Sequence, residues 1–209
     1  MVAIAALRVS KEEPPVAPTS AVTLSVSAED MSVCGLEGFE EESSLTEAPD
    51  NEWEIVGTVA APALGGKAGP AIEREDGLRY CYAHTAEGAL SAILNYAGLD
   101  TDARTIPVSY ELVAPGPGRE AARVKAQTRE PVSGRLQVVG FKVNSYSADE
   151  AVIDLALSAT SQDGQLISFP IAVTWAEGDW KIQMTDTGEL TFRPALLQNL
   201  GGYIPWSAP

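Results

Sequence analysis

GRLQVVGFKVNSY (Gly134–Tyr146), AVIDLALSA (Ala151–Ala159), QLISFPIAVTW (Gln165–Trp175) and DWKIQM (Asp179–Met184) decide the fold. They are four strand-forming runs separated by Ser-Ala-Asp-Glu at 147–150, Ser-Gln-Asp-Gly at 161–164 and Ala-Glu-Gly-Asp at 176–179. Side chains alternate between the two faces of a strand. Ile153, Leu155 and Leu157 therefore share a face in the second run, and Ile167, Phe169, Ile171, Val173 and Trp175 do so in the third. Trp180, Ile182 and Met184 continue the alternation in the fourth. Glu177-Gly178 and Asp163-Gly164 supply the positive-φ positions of tight hairpins. The pattern predicts an antiparallel meander with one apolar face that a helix must cover.

Working backwards along the chain, that helix lies at Thr85–Ala97. Thr85 is an N-cap, Glu87 sits in the positively polarised first turn, and Ala86, Ala89, Leu90, Ile93, Leu94 and Ala97 make one apolar face. Gly98 is expected to end it. A shorter helix is predicted at Arg119–Thr128, after the rigid turn Pro115-Gly116-Pro117-Gly118. Asp102–Val113 is weakly patterned and interrupted by Pro107. Trp53–Val59 reads as one strand, Ala60–Pro70 as a loop, and Leu78–Tyr82 as a short extended piece. The fold class is α+β, with helices packed on a curved antiparallel sheet.

The chain of 209 residues suits one buried domain with tails rather than two domains. Residues 1–50 read as a flexible, acidic, Pro/Ser-rich segment and residues 51–209 as the domain, ending in an aromatic tail. Within the first segment, Lys11–Thr19 is linker-like, Val22–Val26 alternates weakly like a strand, and Glu40–Glu42 is a solvated acidic run. Net charge is −15 and there is no Lys/Arg cluster, which excludes nucleic acid as a partner. Met1–Leu7 is apolar but too short to span a bilayer. A membrane contact would require an upstream segment; as it stands, the sequence reads as soluble.

Cys34 and Cys81 lack metal-ligand spacing, and His84, the single histidine, completes no zinc set. Two buried free thiols, a disulfide and a reactive cysteine are the open readings, the last with no basic neighbour beyond Arg79 and His84. A disulfide would close a loop of nearly fifty residues and place the domain outside the cytoplasm.

The hairpin Trp175-Ala176-Glu177-Gly178-Asp179-Trp180-Lys181-Ile182, set behind a helical region, resembles the nuclear transport factor 2-like (cystatin-like cone) superfamily over about Tyr82–Met184. That resemblance implies a fold and no single activity. Cys34-Gly35-Leu36, Trp53–Pro62, Cys81–Thr85, Glu111–Arg119 and Gly202–Ser207 are similar to an uncharacterised family of actinobacterial proteins. Those proteins have a membrane helix, a Pro/Thr-rich stalk and an outer domain, and occur with conjugative or phage-like elements. The likeness implies a place beside the scaffold subunits of type IV secretion. It also implies other protein subunits as partners, in a homo-oligomer or a membrane complex.

Cone-fold enzymes use an acid/base pair inside the pocket. The residues available for one are His84, Tyr82, Tyr96, Tyr110, Asp154 and Asp186. His84 precedes the helix N-cap and reads as a neutral ring bonded to the local turn. Asp154 lies opposite Ile153 and Leu155 and reads as solvent-facing. No GxSxG, HExxH, phosphate loop or EF-hand is present. No catalytic or metal-binding residue is assigned, no cofactor is implied, and a small-molecule ligand is not expected. Tyr82, His84, Asp154, Trp175, Trp180, Tyr203 and Trp206 are the pocket or docking candidates. Tyr203 and Trp206 either anchor a partner or pack across their own sheet. The leading expectation is an exported or membrane-associated structural component. The alternative is a soluble cone-fold enzyme or ligand binder with its pocket between the main helix and the sheet.

Overall fold

The computed structural model describes residues 27–131, 134–160 and 164–209. The Lys11–Thr19 linker, the Val22–Val26 strand and Asp163 lie outside them. Two small hairpins come first: β1 (Trp53–Val56) with β2 (Val59–Pro62), then β3 (Ile72–Glu73) with β4 (Arg79–Tyr80). Trp53–Val59 is thus not one strand. Gly57, at φ 59°, turns the chain back within it, a conformation that suits glycine.

The helices are α1 (Ala86–Leu99), a 3-10 helix (Ile106–Leu112) and α2 (Pro117–Ala126). Pro117 occupies the first turn of α2, where its missing N–H costs no hydrogen bond. The meander follows as β5 (Leu136–Tyr146), β6 (Glu150–Ala159), β7 (Gln165–Ala176) and β8 (Asp179–Ile182). With β9 (Ala195–Leu196) and β10 (Ile204–Pro205) it makes a six-stranded antiparallel sheet, in the order β10-β5-β6-β7-β8, with β9 also paired to β7. The architecture is α+β. Glu177 and Gly178 turn β7 into β8 with φ of 58° and 71°, the left-handed pair that a two-residue hairpin requires. Two register shifts in β5 bend the strand.

The apolar face of the meander meets α1. Ile153, Leu155, Ile171, Val173, Trp180 and Ile182 are buried against Leu90, Ile93 and Leu94. The helix is enclosed on its other side too, where an amphipathic helix would meet water. Ser91 and Asn95 are buried there: Ser91 Oγ donates to Gly69 O at 2.6 Å, and Asn95 Nδ2 donates to Pro62 O at 3.3 Å. The end of β2 and the loop after it therefore cover the polar side of α1 and accept from the Ser91 hydroxyl and the Asn95 NH₂ group, while Asn95 Oδ1 stays buried without a partner among the described residues.

Gly98 does not end the helix, which runs on to Leu99 with Thr85 Oγ1 capping Gly88 N–H at the other end. Gly98 is where β1 crosses closely: a Cβ there would lie 2.7 Å from Val56 O and 2.9 Å from Val56 Cβ. Alanine normally stabilises a helix interior by about 1 kcal/mol over glycine. Here the clash reverses the sign. Gly98→Ala is expected to lose about 1–3 kcal/mol in chemical denaturation; a gain would show that β1 moves away freely.

The expected boundary at residue 50 does not separate tail from domain among the described residues. Phe39 bridges His84, Glu40 N–H donates to His84 O at 3.1 Å, and the Glu40 carboxylate accepts the Ala86 N–H at 2.9 Å. The start of the acidic run therefore caps a helix instead of merely facing solvent.

Candidate functional site

The turn from β7 to β8 aims Asp179 inward, where it is fully buried. Its carboxylate accepts the Cys81 N–H at 3.0 Å, the Tyr82 N–H at 2.9 Å and the Trp180 N–H at 3.1 Å, with Lys181 Nζ at 3.5 Å. Cys81 holds a φ of 70°, which points two successive N–H groups at one anion. Burial pushes the Asp179 carboxyl up, while Lys181 and the three N–H groups pull it down. Cys81 is joined to Cys34 by a disulfide, with the Cα atoms 6.1 Å apart. The bridge resolves the choice left open by the spacing. Ser32 Oγ lies 3.0 Å from Cys81 Sγ, and Val33 N–H donates to Gly178 O at 2.7 Å. The N-terminal segment is so fastened both to Cys81 and to the β7–β8 turn.

Tyr82 and His84 follow at once. Tyr82 is buried, and its O–H has no hydrogen-bond partner among the described residues. Burial first, and then the Asp179 charge, push its phenol up. His84 is 1% exposed. Its Nδ1 lies 2.9 Å from Asp30 O and its Nε2 lies 2.6 Å from Ala148 O. The ring stacks on Trp175 at 3.7 Å and meets Phe39 and Trp180 edge-on. The expected bond to the local turn is replaced by bonds to two segments far off in sequence. A neutral imidazole donates to one of those carbonyls, and a doubly protonated ring to both. With both nitrogens against carbonyl oxygens, the ring joins segments and offers no free base. Trp175 Nε1 donates to Glu29 O and Trp180 Nε1 to Ala83 O, each at 3.0 Å, completing the knot.

The remaining candidates sit elsewhere. Asp154 is 6% exposed and does not face solvent, because the C-terminal segment covers that side of the sheet. Its carboxylate accepts Tyr203 O–H at 2.6 Å and Ser168 Oγ–H at 2.7 and 2.9 Å. Burial and the bond to Asp154 push the Tyr203 phenol up. Trp206 is buried against Trp53 and Phe141, with ring centroids 4.9 and 5.6 Å away. Its Nε1 donates to Asn51 Oδ1 at 3.1 Å. Of the two readings of the aromatic tail, packing across its own sheet holds.

The space between α1 and the sheet is largely filled. A cavity of about 140 Å³ lies at the C-terminal end of α1, lined by Val59, Tyr96, Leu136, Leu157 and Phe169 among others. Asp100 and Arg129 stand at it in a two-fold ion pair, with both N···O distances 2.5 Å. Burial pushes the Asp100 carboxyl up, and the Arg129 guanidinium opposes that. Among the described residues, no three His, Cys, Asp or Glu side chains come together as a metal site.

Residues 13–205 match a family described as a domain of unknown function, DUF8175. The chain belongs to that family. No curated protein and no solved structure matches it. Among the described residues of this DUF8175 domain, no helix is long and apolar enough to cross a membrane.

Sequence reasoning brought Cys34, Cys81, Tyr82, His84, Trp175 and Trp180 forward one by one, and the domain assembles them into one cluster. It missed Asp179, Asp100 and Arg129. Asp179 stands out in the sequence only as part of the β7–β8 turn, and Asp100 lies just past the expected helix end at Gly98 with no motif around it. Nothing local marks Arg129, whose partner is 29 residues away.

Proposed function

We propose that this DUF8175 domain is a non-enzymatic assembly component working outside the cytoplasm, in a conjugation- or secretion-type complex of the cell envelope. The observation that carries the reading is the Cys34–Cys81 disulfide, since such bonds persist in oxidising compartments. The chemistry around it points the same way. His84 and Asp179 are both spent on backbone groups of neighbouring segments, which builds a rigid body and leaves neither free to act on a substrate. The reading takes the helix-backed antiparallel sheet as a nuclear transport factor 2-like cone, the fold of type IV secretion scaffold subunits, on the strength of the Trp175–Ile182 hairpin. Partners are then other protein subunits, met through the outer surface.

The test is alkylation of native cell fractions before and after reduction, read as the mass of the peptides carrying Cys34 and Cys81. The expected result is a disulfide in the membrane or extracellular fraction, with crosslinks to envelope proteins. Two free thiols in the cytosol would overturn the reading. A second reading, a small-ligand binder or enzyme, rests on the Asp100 carboxylate beside Tyr96 at the cavity between helix and sheet. Under it, Asp100→Asn abolishes ligand binding; under the first, the variant leaves the crosslinks unchanged.

A further inference from the structure

A cleft of about 480 Å³ opens on the loop-covered side of α1, and its lining residues Ala68 and Gly69 back onto the Cys81–Ala83 backbone. One wall is the loop after β2, the other is the segment Pro49–Glu52, and Glu87 and Ser91 of α1 lie between them. Its volume lies within the ordinary range of small-molecule sites. Asp50, Glu52 and Glu87 line it against a single cation, Lys67. Among the described residues, none of these four makes an ion pair, as is also true of surface carboxylates outside the cleft such as Glu75, Asp149 and Glu150. Trp206, buried against Trp53 and Phe141 and only 6% exposed, reaches the lining of the same cleft with a small part of its indole.

Three features select the ligand. The excess of carboxylates rejects anions. The same carboxylates do not converge into a metal-binding group among the described residues, so they are spread along the cleft and not gathered round a point charge. Trp206 and Leu64 offer apolar surface between them, and an aromatic ring attracts organic cations. We propose that this cleft binds a small organic cation, an aliphatic amine or guanidinium, between Glu87 on α1 and the Asp50–Glu52 wall. Its methylenes lie along Trp206 and Leu64. Burial, and then the Glu40 charge, push the Glu87 carboxyl up, a cost that a bound cation relieves. The site borders the disulfide cluster at Ala68 and Gly69 but is not lined by Asp179, His84, Trp175 or Trp180, and its ligand binding is tested apart from the assembly reading.

The test is an NMR titration of the oxidised full chain with 1,5-diaminopentane, and with 1,5-pentanediol as its uncharged counterpart. Saturable shifts are expected for the diamine at Gly65–Gly69, at Glu87–Ser91 and at the Trp206 indole, with none for the diol. Glu87→Gln and Asp50→Asn, both at the rim of a folded domain, should each weaken binding about fivefold, as for one exposed charge pair. Equal binding of the diol would overturn the proposal. So would a diamine affinity unchanged in both variants, shifts that never saturate, or full displacement by millimolar calcium.

Discussion

Asp179→Ala is expected to cost about 3–5 kcal/mol of folding stability, the range found when one partner of a buried ion pair is removed. The carboxylate accepts three backbone N–H groups, from Cys81, Tyr82 and Trp180, in a fully buried position. Alanine leaves all three without acceptors, and each buried unmet donor costs about 1–3 kcal/mol. It also leaves Lys181, itself buried, without its neighbouring charge. The terms share one cavity and do not add, because water entering the space recovers part of the loss. Even so, the loss is a large part of the roughly 5–15 kcal/mol available to a domain. Asp179→Asn should fall between alanine and wild type. Its remaining oxygen still accepts from Tyr82 and Trp180, but its NH₂ group faces the Cys81 N–H. Urea denaturation with the disulfide intact measures the order. Asp179→Ala within about 1 kcal/mol of wild type, the ordinary cost of a substitution, would mean that the N–H groups find other acceptors.

Asp179 illustrates what the sequence conceals. The meander was legible because alternation and turn residues are local signals. Ile153, Leu155, Leu157, Trp180 and Ile182 all lie buried as their spacing predicts. Helix α1 was legible from Thr85 and the apolar spacing behind it. What alternation cannot say is what covers each face. Asp154 was assigned to the correct face, yet Tyr203, 49 residues on, shields it from water. Gly57 was passed over because glycine inside an apolar run does not by itself distinguish a turn from a weak strand. The segment from Ser27 to Asp50 read as a tail because it has few apolar residues. Its attachment relies instead on a covalent bond, on carbonyls reached by His84 and Trp175, and on a carboxylate capping α1. None of those leaves a periodic trace. The candidate cluster was thus legible as residue types but not as a constellation, since its members meet through contacts across the whole chain.

That covalent bond carries the second large effect. Reducing the disulfide, or replacing both residues in Cys34→Ala/Cys81→Ala, is expected to lower stability by about 4 kcal/mol in the chain-entropy account. The two cysteines are 47 residues apart, and a loop of that length is costly to close in the unfolded chain. The effect should not remain local. Cys81 is fully buried and its N–H is one of the three donors to Asp179, so loosening it disturbs the carboxylate's whole set of bonds. Cys34 is exposed, which gives a reductant access to the bridge from one side. Once it opens, the segment through Asp30 and Val33 keeps its bonds to His84, Trp175 and Gly178 but loses its covalent tie. Hydrogen exchange should then show the Val33 N–H losing protection well before the amides of β6. Denaturation midpoints in oxidising and reducing buffer, with thiol content verified by mass, measure the main effect. Coincident midpoints would mean that the aromatic knot around His84 holds the segment by itself. The bridge would then fix where the segment lies without adding to how firmly the domain is folded.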